Sequence, residues 1–104
     1  MKTVTSVRIS ECEKKALLKK TKKKNLSNAV VSALNHIIKT YQNEQVFYAI
    51  KSSSKKKWIW IDAKFFLLIE KYSNVNDVTI EQVIYTAVKE VLLLEQPIMD
   101  KAGI

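Results

Sequence analysis

The stretch KTVTSVRIS, residues 2 to 10, decides the fold. Thr5, Val7 and Ile9 fall on one side of it and Val4, Ser6 and Arg8 on the other, the alternation of a short half-buried strand. Ser10 directly follows the last inward Ile, and Glu13 stands three positions on. That is a capping box, in which the Ser hydroxyl accepts from the amide of the third helical residue and the Glu carboxylate reaches back. A strand therefore runs straight into a helix. Cys12, Ala16, Leu17 and the stem of Lys20 are expected to face inward on that helix, with Cys12 in the core. The five lysines between Lys19 and Lys24 sit beside its negative C-terminal end.

Downstream, Asn25 or Ser27 can cap a second helix, whose apolar positions Val30, Ala33, Leu34, Ile37, Ile38 and Tyr41 recur at three- and four-residue steps. The phase slips around Gln42 to Gln45, so Val46, Phe47 and Ile50 either continue the helix on a rotated face or form a separate packed segment. A polar, linker-like run, KSSSKKK at residues 51 to 57, then leads into a second alternating strand, KWIWI at residues 57 to 61. The order repeats from there. Asp62 caps a helix with Phe65, Phe66, Ile69 and Tyr72 on its apolar side, and Thr79 with Gln82 forms a second capping box. A last helix from Ile80 to about Glu95 buries Val83, Ile84, Ala87, Val88, Val91 and Leu92, and Pro97 bars its continuation.

Aligning Ser10 with Asp62 gives an offset of 52, and aligning Ala33-Leu34 with Ala87-Val88 gives 54. The two extra residues are expected in the turn from Ser73 to Val78, where insertions are tolerated. The expected organisation is a first strand-helix-helix unit over residues 1–43, a connector over 44–56, a second unit over 57–96 and a short tail over 97–104. In a chain of 104 residues neither unit could bury enough apolar surface alone, so the two must share a core. Hydrophobic residues at 47%, with one Gly and one Pro, argue for a helix-rich fold with few tight turns.

The net charge of +8 is unevenly placed. Residues 1 to 57 hold fourteen Lys/Arg against three acids, whereas residues 58 to 104 hold four against seven. Such a basic half suits a polyanion, either nucleic acid or an anionic membrane surface. The apolar runs Phe65 to Ile69 and Val91 to Leu94 are too short to span a bilayer. A single Cys and a single His exclude an internal disulfide and a zinc finger, and no signal-peptide pattern follows Met1. An intracellular location is expected, with no cofactor.

A strand of about six residues ending SVRIS (Ser6 to Ser10), a capped helix, a turn, and a helix with Ser27 six and seven residues before Ala33-Leu34 together resemble the ribbon-helix-helix family of the Arc and MetJ repressor type. IWID (Ile59 to Asp62) is the counterpart in the second half. The resemblance implies a mainly α fold with a short two-stranded antiparallel ribbon. Two ribbon-helix-helix motifs in tandem would then form a single-chain pseudo-dimer that inserts its ribbon in the major groove of double-stranded DNA. The reach is adequate: a sixteen-residue helix is about 24 Å long, and a dozen extended residues return roughly 40 Å. Tandem versions are similar to small transcription regulators, repressors or activators, of archaeal viruses and plasmids, which would place the protein in the cytoplasm of such a host. The family also implies a homo-oligomer on DNA.

Arg8, as the sole Arg, could donate two bonds to guanine O6 and N7 from the centre of the exposed strand face. Lys2, Val4 and Ser6 share that face, and Lys56, Trp58 and Trp60 are the base-facing candidates of the second strand. If Ile59 and Ile61 point inward, the two indoles lie outward, against sugar and base edges or against another protein. The alternative is a strand slipped by one residue that turns them in. Lys55 and Lys57 are expected to neutralise phosphate, together with Asn25, Ser27 and Thr79 at the positive starts of the second helices. His36 reads as a surface or core-edge residue.

The absence of a Gly-rich loop, HExxH or GxSxG leaves no enzyme motif. Competing readings are an antitoxin, which would need a longer partner-binding tail, and a protein-interaction module whose second, acidic copy holds a partner through its tryptophans.

Overall fold

The structure is a computed structural model, and it describes residues 1–40, 46–50 and 54–94. The chain runs β1 (Lys2–Arg8), α1 (Glu11–Thr21), α2 (Leu26–Thr40), β2 (Lys56–Asp62), α3 (Ala63–Asn76) and α4 (Ile80–Leu92). It is mainly helical, with β1 and β2 paired antiparallel in one two-stranded sheet. The register sets Val4 against Trp60, Thr5 against Ile59, Ser6 against Trp58 and Arg8 against Lys56. With the strand offset of 52, Ser6 corresponds to Trp58, so the two-fold relation between the strands passes through this pair of equivalent residues, one step from the middle of the seven pairs.

Alternation fixes which face is buried. Val7, Ile59 and Ile61 are fully buried together with Ile9, while Val4, Trp58 and Trp60 are exposed. Under the sheet, α2 and α4 contribute Val30, Ala33, Leu34 and Ile37 from one side and Val83, Ile84, Ala87, Val88 and Val91 from the other. These positions recur at helical spacing, so each helix turns one apolar stripe to the same core. Leu92, expected in that stripe, is only partly buried, and α4 also buries Tyr85 and Thr86.

Both capping boxes form. Ser10 Oγ accepts from Glu13 N at 3.0 Å, and Thr79 Oγ1 accepts from Gln82 N at 3.0 Å. Asp62 caps α3 through Lys64 N, and Asn25 caps α2 through Asn28 N at 2.9 Å. The two first helices end alike, with Lys22 (φ 59°) and Asp77 (φ 55°) in the left-handed conformation without a glycine. Α small ordinary cost of about 1 kcal/mol attaches to each such residue.

Several expectations are corrected. Leu17 is buried as expected, but Cys12 and Ala16 are exposed, because α1 turns Glu13 and Thr21 to the inner side in their place. Glu13, one position on from Cys12, is turned to that side and bonded to Ser10 N, Tyr85 Oη and Lys89 Nζ. The two additional residues of the second copy do not widen a turn from Ser73 to Val78. Residues through Asn76 remain helical, so α3 is fourteen residues long against eleven for α1. Among its expected apolar positions only Ile69 is fully buried, whereas Phe65, Phe66 and Tyr72 pack at the core edge.

The 44–56 stretch is not a free linker where it is described. Residues 46–50 are non-helical, with Phe47, Tyr48 and Ile50 packed on the core. Tyr48 N donates to Thr86 Oγ1 at 2.9 Å, its hydroxyl reaches Glu90 Oε2 at 3.1 Å, and Phe47 meets Tyr72 at a centroid distance of 6.0 Å. The strands are Lys2–Arg8 and Lys56–Asp62, one or two residues away from the expected bounds, and α4 ends at Leu92 rather than near Glu95. Tyr41, Pro97 and the 97–104 tail lie outside the described residues.

Candidate nucleic-acid interface

The outward face of the ribbon carries all seven residues expected to face bases. Cross-strand pairing brings them together as Val4 with Trp60, Ser6 with Trp58 and Arg8 with Lys56, and Lys2 stands opposite Asp62 at one end. Trp58 is 59% exposed and Trp60 51%. With Ile59 and Ile61 at 0%, the slipped register that would turn the indoles inward is ruled out.

Each end of the ribbon is seated on a second helix of the opposite half. Trp60 N donates to Ser27 Oγ at 2.9 Å, and Arg8 N donates to Glu81 Oε2 at 2.8 Å. Arg8 and Trp60 correspond by the strand offset, and Ser27 and Glu81 by the helix offset of 54, so the two bonds are equivalent in the repeat. Ser27 is therefore occupied in anchoring the ribbon, and Asn25 is the cap. Glu81 was not singled out from sequence. The repeat held the signal, because Glu81 stands where Ser27 stands in the first half.

Arg8 is not at the ribbon centre but at its end. Its guanidinium lies 3.3 Å from Glu81 Oε1, with the side chain 33% exposed. Lys57 also departs from the phosphate role. It sits on the inward-pointing set at the ribbon end, and its ammonium pairs with Glu11 Oε2 at 2.9 Å. That bond, with the lysine's charge, holds the Glu11 carboxyl below its usual range. Lys55 and Lys56 remain exposed. Thr79 is exposed too, but its hydroxyl and amide are both engaged with Gln82. His36 is partly buried, as a core-edge residue would be.

A groove of about 550 Å³ opens beside the Trp60 end, lined by Lys2, Asn25, Ser27, Asn28, Trp58 and Trp60. The first turn of α2 contains no acid, so the positive end of the helix faces this groove uncompensated. Behind the ribbon, burial works to raise the Glu13 carboxyl. The bonds from Ser10 N and Tyr85 Oη and the nearby Lys89 outweigh it and hold the group low. Burial and the same carboxylate push the Tyr85 hydroxyl up to about 12.

Among the described residues no helix is long and apolar enough to cross a membrane, and no three His, Cys, Asp or Glu side chains cluster as metal ligands would. No protein-family model, curated protein or solved structure matches the chain.

Proposed function

We propose that the chain is a tandem ribbon-helix-helix pseudo-dimer that binds double-stranded DNA sequence-specifically and regulates transcription. The observation that carries this reading is the outward ribbon face. A two-stranded ribbon fits the major groove, and this one offers an Arg, lysines, a hydroxyl and apolar groups, the side chains that discriminate base edges. The acid-free start of α2 and the exposed Lys55 supply the phosphate contacts that position such a ribbon. No catalytic step belongs to this reading, and neither does a cofactor.

The test is binding of the purified chain to duplex fragments in rising salt with competitor DNA. Arg8→Ala is expected to weaken specific binding by about 1–3 kcal/mol. Replacing Lys55 should instead weaken all sequences alike and flatten the salt slope. Equal effects from both substitutions would remove the division of roles, and no binding at low salt would end the DNA reading. The exposed indoles favour one other reading, a protein partner seated on Trp58 and Trp60. In that case a double substitution there abolishes assembly and leaves DNA affinity unchanged.

A further inference from the structure

The ribbon repeats its backbone about the Ser6–Trp58 pair but not its chemistry. By the offset of 52, Val4 corresponds to Lys56 and Arg8 to Trp60. To one side of the centre the face therefore presents Val4 beside Trp60, and to the other Arg8 beside Lys56. A palindromic duplex would show the same base edges to an apolar, aromatic pair and to a pair of cations. No single base step satisfies both. Thymine methyls suit the first, and the O6 and N7 acceptors of guanine suit the second.

The seats of the ribbon differ in the same sense. At the Trp60 end the anchoring acceptor is the neutral Ser27 hydroxyl, and the groove beside it is lined by Lys2 and Asn25. At the Arg8 end the acceptor is the Glu81 carboxylate, which also holds the guanidinium at 3.3 Å. A carboxylate there repels phosphate and fixes the direction in which Arg8 can point, whereas the hydroxyl does neither.

We propose that the chain binds a non-palindromic duplex in a single orientation, with the Val4–Trp60 end of the ribbon over an A·T step and the Arg8–Lys56 end over a G·C step. The proposal rests on the DNA-binding reading and adds to it the class of site. Its origin is physical: with both strands in one chain, the two sides of the ribbon need not be identical.

Selection from a randomised duplex pool with the purified chain tests it. The expected consensus lacks an inverted repeat, and palindromes built from either half of it bind about tenfold or more weakly. The variant carrying Lys56→Val, Trp58→Ser and Trp60→Arg makes β2 match β1 on the outward face. Its consensus should move toward an inverted repeat with G·C on both sides, and circular dichroism checks that its helices persist. An inverted repeat selected by the unaltered chain overturns this inference alone, as does an unchanged consensus from a folded variant. Salt-sensitive binding without any enriched sequence also overturns it while leaving the chain a DNA binder. Failure to retain duplex at low salt overturns it together with the reading beneath it.

Discussion

Helices α1 and α3 occupy corresponding places in the repeat, and their buried sides agree while their exposed sides do not. Leu17 corresponds to Ile69, and both are fully buried. Thr21 corresponds to Ser73, and each buried hydroxyl turns back to a carbonyl of its own helix, at 2.8 Å to Leu17 O and 2.9 Å to Glu70 O. On the outside, the exposed Lys15 and Ala16 of α1 stand where Leu67 and Leu68 stand in α3. Leu67 is 63% exposed and Leu68 55%. The backbone repeat thus coincides with a few like inward positions and the caps, while the solvent faces differ in chemistry. The second helices agree in the same way: Ser32 and Thr86 correspond and are both buried.

The comparison can be broken most directly at its buried pair. Leu17→Ala and Ile69→Ala should each lower stability by about 2–5 kcal/mol in denaturant melts, and a large inequality would mean the two sites are not equivalent. The contrast sharpens at Glu13, whose counterpart is Phe65. Glu13→Gln should cost about 1–2 kcal/mol near pH 7 through the weakened Tyr85 and Lys89 contacts. Because the Glu13 carboxyl is held low when folded, its contribution is complete above the ordinary Glu range and is lost as pH falls through the lower, folded value. Acid melts of the Gln variant should show a shallower decline. At the alkaline end the sign reverses: Tyr85 is raised to about 12, so its contribution is full below the ordinary Tyr range and is lost as pH approaches 12. Tyr85→Phe should flatten that limb.

Smaller effects are expected at the helix starts. Ser10→Ala and Asp62→Ala should each cost about 1 kcal/mol, more at Ser10 because its box is reciprocal. Least of all, Leu67→Lys with Leu68→Lys should move stability by no more than about 0.5 kcal/mol. A larger loss would show that the exposed side of α3 is packed after all.

Local features were legible in the sequence. Strand alternation, both capping boxes, the Asp62 cap and most of the apolar stripes of α2 and α4 depend on neighbours within a few residues, and among the described residues the structure places them as read, with Ile38 and Leu92 only partly buried. What was missed depends on distant partners. Cys12 reads as a core residue because nothing near it reveals that Glu13 meets Tyr85, 72 residues away, on the inner side of α1. Arg8 reads as a free guanidinium until Glu81, 73 residues away, is set beside it. Lys57 and Glu11 are likewise separated by α1, α2 and the connector. The phase slip after Thr40 signalled a change of structure, but only the packing on Thr86 and Tyr72 shows what residues 46–50 do.

The pairing of β1 with β2 within one chain makes ribbon formation a first-order event. A two-chain ribbon comes apart on dilution, whereas the midpoint of this one should not depend on protein concentration. The strands must instead meet across a loop of roughly fifty residues, an entropic toll of roughly 3 kcal/mol that the core contacts repay only after closure. Ribbon pairing is therefore expected to be a late step of folding, which refolding kinetics of a ribbon variant would check. A substitution in a homodimer's ribbon appears twice, but here it appears once, so one side of the ribbon can drift while its partner keeps its original chemistry.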